Sequence, residues 1–166
     1  MYLHQYVALC AAVATVLGAA STVKVRDKDT GTQVMIFVVR AVHFFTQLTL
    51  TFYLIARGSK RVDVAYLVVI LLVIAHWQIF GECVLSYVDE RLVDPAYAGR
   101  VSGVWSVAYV NDLLGPKPAT VFIAGTMTVM FVTYVVVLGR VEIGRLAKAL
   151  FAAALVALAA VDVFVT

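Results

Sequence analysis

Charged residues are scarce in this sequence. Asp, Glu, Lys and Arg make up 14% of its 166 residues, whereas a soluble domain carries about 25%. Apolar residues make up 63%, and the mean hydropathy is +0.98. Because so little polar surface is available to face water, the composition predicts an integral membrane protein rather than a soluble domain.

Several other absences exclude classes of function. The two cysteines, Cys10 and Cys83, form no CxxC or Cys/His cluster, which argues against a disulfide framework and structural zinc. No HExxH, GxSxG or P-loop motif occurs, so we predict no enzyme activity and no metal site. The net charge is only +3, and the basic residues lie in short loops, so no nucleic-acid partner is expected.

Five long apolar runs are present instead. Crossing ~30 Å of hydrocarbon takes about 20 apolar residues at ~1.5 Å each. The runs that reach this length are 3–22, 34–56, 64–84, 119–139 and 146–166. The sequence therefore predicts an all-α, single-domain integral membrane bundle covering residues 1–166, with about five transmembrane helices.

The connections refine this prediction. The third span is expected to continue as one helix through SYVDERLV and to stop at Asp94, because a proline follows. A short interfacial helix is predicted between spans 3 and 4, within VWSVAYVNDLL. Lys and Arg in the short loops 57–63 and 140–148 place these turns and the N-terminus in the cytoplasm, with the long connection on the opposite side.

Polar residues lie within the second and third spans, where an unpaired charge costs roughly 2.5–3.5 kcal/mol. Those at membrane depth are Arg40, His43, Gln47 and Thr51 in span 2, and His76, Gln78 and Glu82 in span 3. The first four share one helix face. Because a tight turn joins the two spans, we expect antiparallel neighbours whose polar faces meet, with an ion pair between Arg40 and Glu82.

The two histidines leave alternatives open. Counted from the turn, His43 and His76 lie at nearly equal depth. If the role of the histidines is structural, we expect that they bind no cofactor and are hydrogen-bonded residues of the core. The first alternative makes both histidines axial ligands of one b-type haem. The second makes them part of a proton or ion path built with Arg40 and Glu82.

A charged and aromatic stretch follows span 3. Its members are Asp89, Glu90, Arg91, Trp105, Tyr109 and Asp112. A solvated helix end is one interpretation, and a docking patch for a partner protein is the other. Spans 1 and 5 are rich in small residues, which favour close helix packing within the chain or in a homo-oligomer.

Part of this region resembles a known pattern. His76 and Trp77, followed by GECVLSY at 81–87 and DPAYAG at 94–99, resemble small uncharacterised multi-spanning membrane proteins of large DNA viruses of algae and protists. YVNDLLG at 109–115 corresponds to a second short motif of that group. The likeness covers residues 76–115 and departs at Arg91, where a lysine-rich pair is expected. It implies a virus-encoded protein of an internal virion membrane and carries over no catalytic residue.

The function predicted from these observations is structural. We expect a membrane-embedded accessory subunit of a larger assembly, such as a virion membrane or capsid-associated protein, whose partners are membrane lipid and other protein subunits. The alternatives are a haem-bearing membrane anchor of a redox complex and a small proton or ion transporter.

Overall fold

A computed structural model describes residues 1–56, 58–99 and 108–165, excluding the side chains of 108 and 159–165. Every regular element in this part of the chain is helical, which confirms the all-α prediction. The α-helices are α1 (Leu3–Thr22), α2 (Thr30–Thr51), α3 (Lys60–Phe80), the shorter α4 (Val84–Val93) and α5 (Ala108–Leu114), α6 (Pro116–Arg140) and α7 (Arg145–Val165). Short 3-10 turns, Val23–Val25 and Tyr53–Ile55, follow α1 and α2.

Four of these segments are long and apolar enough to cross a membrane. They are Leu3–Val25, α2, α3 and α6. Large apolar side chains point outward from them, including Val16, Leu72 and Val121, which are 67%, 63% and 73% exposed. This is the surface that a hydrocarbon environment requires, and it is consistent with a membrane protein. The structure has four such segments, so it does not confirm the predicted total of five spans.

Local capping sets the helix boundaries. The Asp29 side chain accepts a hydrogen bond from the Thr32 amide (3.0 Å) and starts α2. Hydrogen bonds from Thr32 also lower the pKa of this carboxyl. Gly81 adopts a left-handed conformation (φ 72°) and ends α3. The prediction of one helix through residue 93 is therefore wrong, although α4 does end at Asp94 before the proline.

The helices alternate between two ends of the bundle. The Met1 amine donates to the Ile55 carbonyl (3.5 Å), and Arg140 pairs with Asp63 (2.7 Å). The N-terminus, the α2–α3 corner and the α6–α7 corner thus share one end, called here the corner end. The 23–29 connection and α4 lie at the opposite end, the far end. Which end faces the cytoplasm stays a prediction.

The packing partners differ from those expected. Helix α2 packs along α1, while α3 packs along α7 and α6. Helices α2 and α3 meet close to their corner, where the Tyr66 hydroxyl donates to the Leu50 carbonyl (3.0 Å). The expectation of a polar seam shared by α2 and α3 is therefore corrected: the polar face of α2 is covered by other elements.

Helices α1 and α2 lie close together at Gly18. A Cβ atom added there would lie 3.0 Å from the backbone of Ala41. We expect Gly18→Ala to force the two helices apart and to destabilise the fold by about 1–3 kcal/mol, the usual cost of overpacking. Thermal unfolding in detergent measures this. Gly125→Ala is the matched control, because nothing lies within 4 Å of its added Cβ. Equal melting temperatures for the two variants would contradict the close packing.

Candidate functional site

Arg40 is the centre of a buried polar cluster. It lies ten residues into α2, ~15 Å from the start of the helix, and is 0% exposed. Its Nε donates to Asp89 Oδ1 (2.8 Å), and its Nη1 donates to the Ser21 carbonyl (2.7 Å). Its Nη2 lies 3.0 Å from Asp112 Oδ2. The guanidinium is therefore held by groups from three other elements.

Each partner reaches Arg40 for a local reason. The bend at Gly81 turns the chain back, so that α4 packs against α2 and brings Asp89 inward. Ser21 belongs to the last turn of α1, where carbonyl groups lack helical partners and carry partial negative charge. Helix α5 contributes Asp112 from its C-terminal half. The fold thus surrounds one buried cation with acceptors.

The two carboxylates beside Arg40 differ in burial. Asp89 is 1% exposed, whereas the Asp112 side chain is 34% exposed. Burial raises the pKa of the Asp89 carboxyl, and the hydrogen bond from Arg40 opposes that rise. Three buried atoms, Arg40 Nη2, Asp89 Oδ2 and His43 Nδ1, make no hydrogen bond to the described residues. Asp112 and Arg40 Nη2 therefore form an ion pair that does not have the geometry of a hydrogen bond.

The predicted partner of Arg40 is wrong. Glu82 lies in the bend between α3 and α4, where it accepts a hydrogen bond from the Tyr97 hydroxyl (3.0 Å). The prediction extended α3 in a straight line through position 82. Because the helix ends at Phe80, the carboxylate that reaches Arg40 comes from Asp89, one element later.

His43 and Gln47 continue the polar face of α2. The buried His43 ring lies 4.8 Å from the Tyr109 ring, centroid to centroid. The Tyr109 hydroxyl donates to Gln47 Oε1 (3.4 Å), and Gln47 Nε2 donates to Thr126 Oγ1 (3.1 Å). The face is therefore covered by α5 and α6.

Helix α5 lies deep among the long helices. Gln47, which Tyr109 contacts, is ~25 Å from the beginning of α2 by helical rise. Tyr109 and Val110 are each 1% exposed and pack with Ala14 of α1 and Ile123 of α6. These contacts do not place α5 at a membrane interface, because the aromatic side chain of Tyr109 is enclosed by protein.

The predicted docking patch also needs correction. Asp89 and Tyr109 are interior residues and present no surface to a partner. Arg91 is exposed and donates to the Tyr97 carbonyl (2.8 Å), while Glu90 is half-buried. Trp105 lies outside the described residues. The surface that remains at this place is the outer face of α4.

His76 and Gln78 lie apart from the Arg40 cluster. Nε2 of His76 accepts a hydrogen bond from the Val84 amide (3.3 Å), and its ring packs on Phe80 at 4.6 Å. Gln78 is half-buried. A haem ligand needs a free nitrogen lone pair, and the one on Nε2 is engaged inside the chain. Haem binding by His43 and His76 stays a prediction.

Polar contacts do not run without a break along the buried face of α6. Beyond Thr126, the next such contact is from Thr133 Oγ1 to the Thr51 carbonyl (3.0 Å). It lies seven residues, or ~10 Å, farther along α6. The buried Met130 occupies the interval. Along α2, by contrast, the buried Tyr6 hydroxyl donates to the Leu48 and Thr49 carbonyls (3.0 and 2.7 Å), so polar contacts continue from Gln47 toward the corner end.

A second ion pair closes the corner end. Arg140 Nε and Nη2 donate to the two carboxylate oxygens of Asp63 (3.0 and 2.7 Å). The Tyr53 hydroxyl also donates to Asp63 (2.8 Å), and its ring stacks on Tyr66 at 4.4 Å. Burial raises the pKa of Tyr53, so its hydroxyl stays protonated and donating. Sequence reasoning missed this site, although an acidic residue in the first turn of one span and an arginine at the end of another were visible signals.

In the described residues, no group of three or more His, Cys, Asp or Glu side chains could hold a metal ion. The charged groups at depth pair with one another across several helices. No protein-family model, curated protein or solved structure matches this chain.

We expect Arg40→Met to destabilise the fold by about 3–5 kcal/mol, because it leaves Asp89 buried without its cation. The double variant Arg40→Met, Asp89→Leu removes both charges and should recover most of this loss. Unfolding in detergent, followed by helical circular dichroism, measures the difference. Arg26→Met, an exposed arginine, is the control. A single Arg40 variant as stable as the control would show that the ion pair does not hold the fold.

Proposed function

We propose that this chain is a five-span membrane protein that acts as a structural, accessory subunit of a larger assembly. The fifth span is α7, whose 21 residues are long enough to cross the hydrocarbon. It packs along α3 and exposes Leu146, Leu150 and Val156 outward. Helix α5 is a re-entrant segment between the spans.

The neutralisation of Arg40 inside the chain is the observation that carries this proposal. A transporter or redox site keeps polar groups at depth accessible to an ion, a substrate or a cofactor. Here the arginine is fully buried, and its partners come from α1, α4 and α5. Such a cluster holds helices together and leaves the outer surface to lipid and partner proteins.

The outer face of α4 is the surface that we assign to a protein partner. Val84, Tyr87 and Arg91 are all exposed and recur at helical spacing on one side of α4. An aromatic residue and an arginine beside apolar surface are the residue types that most often anchor interfaces. The resemblance to viral membrane proteins covers this helix, and it supports an internal virion membrane as the location.

Mild detergent extraction from the native membrane, followed by cross-linking and sizing, tests this proposal. We expect a complex larger than the monomer with a stoichiometric second protein. Tyr87→Ala combined with Arg91→Ala should release that protein. Val68→Ala combined with Val69→Ala, on an outward face of α3, should not. A monodisperse monomer that brings no second protein with it would contradict the accessory role.

A further inference from the structure

Charge is divided unequally between the two ends of the bundle. Among the described residues, the corner end has five basic residues and two acidic ones: Lys60, Arg61, Arg140, Arg145 and Lys148 against Asp63 and Glu142. Among the residues whose side chains the structure describes, the far end and the Arg40 cluster below it together have six basic residues and seven acidic ones: Lys24, Arg26, Lys28, Arg40, Arg91 and Lys117 against Asp27, Asp29, Glu82, Asp89, Glu90, Asp94 and Asp112. The net positive charge of the described chain is therefore concentrated at the corner end.

Some of the corner-end cations are already engaged. Arg140 is neutralised by Asp63, and the Lys148 ammonium donates to the Gly139 carbonyl (2.7 Å). The side chains of three other corner-end cations, Lys60, Arg61 and Arg145, are not engaged in this way. All three are exposed, and none makes an ion pair or hydrogen bond to a described residue through its side chain. These three residues are called here the basic rim.

The basic rim lies where the hydrocarbon of a membrane would end. Lys60 and Arg61 begin α3, and Arg145 begins α7, which packs beside α3. Exposed apolar side chains follow along both helices: Leu146 (76%) comes directly after Arg145, and Val68 (41%) lies about two turns beyond Arg61. Cations at this level extend toward phosphate groups while their aliphatic stems stay over the apolar surface.

We propose that the basic rim binds the phosphate groups of anionic lipids and thereby orients the corner end toward the more anionic leaflet. Arginine forms paired hydrogen bonds to phosphate oxygens, and lysine adds a compact charge. Among the described acidic residues at the corner end, Asp63 is paired with Arg140 and Glu142 is exposed. The corner end therefore keeps an excess of positive charge at the basic rim. A lipid is the expected occupant because the cations border two lipid-facing helices. The inference is independent of the assembly proposed above.

Native mass spectrometry of the purified full-length chain in micelles containing phosphatidylglycerol and phosphatidylcholine tests the inference. The variant Lys60→Gln, Arg61→Gln, Arg145→Gln should retain phosphatidylglycerol on the order of tenfold more weakly than the unaltered chain. Its phosphatidylcholine retention should be unchanged. The matched control is Lys24→Gln, Arg26→Gln, Lys28→Gln, which removes the same charge from the far end and should retain both lipids.

Three outcomes would overturn the proposal. They are equal losses of phosphatidylglycerol in the two triple variants, no loss in either, and displacement of the lipid by inorganic phosphate at the same concentration. The first would show a general effect of net charge, and the last a site for free phosphate. If the rim variant fails to fold, Arg145→Gln and its match Arg26→Gln replace the triple variants. The Arg145 variant alone should then weaken phosphatidylglycerol retention.

Discussion

A guanidinium buried among apolar helices must be paired with acceptors, and this constraint shapes the far half of the bundle. Arg40 is buried in the interior of α2, so acceptors have to be brought to it. The bend after α3 brings Asp89, and the return of the chain through α5 brings Asp112. A connection that would otherwise lie over the surface is thereby drawn between the long helices.

The two ion-pair clusters also explain why these helices associate. Burial of apolar side chains gives little drive for helix association when the surrounding lipid is equally apolar, so close packing and polar contacts determine the arrangement. Arg40 joins α2 to three elements at the far end, while the Arg140–Asp63 pair joins α6 to α3 at the corner end. Gly18 allows a close backbone approach between α1 and α2. Each contact determines how the helices pack against one another, which the connecting loops alone do not determine.

Much of the helical fold could be predicted from the sequence, because apolar runs of sufficient length and an end signal such as Pro95 act locally. The partner of Arg40 could not. Its assignment to Glu82 assumed a straight helix past Gly81, and a glycine in an apolar run can be either a helical residue or a left-handed cap.

The position of α5 was equally hard to predict. A short segment with aromatic and polar residues is typical of a membrane interface, but the same residues suit an enclosed site with partners for their polar atoms. Tyr109 has such a partner in Gln47, which is distant in sequence. Tertiary contacts of this kind leave no local pattern, whereas the polar face of α2 could be recognised from its spacing.

The depth of α5 tests the account most directly, through labelling with a membrane-impermeant maleimide. Single cysteines would replace Val110 (1% exposed) or Leu114 (41% exposed) in a chain whose Cys10 and Cys83 are changed to alanine. These two positions, four residues apart, share a helix face, so a helix lying flat at an interface would label both alike. The account predicts rapid labelling at 114 and protection at 110. Equal labelling at the two positions would contradict it.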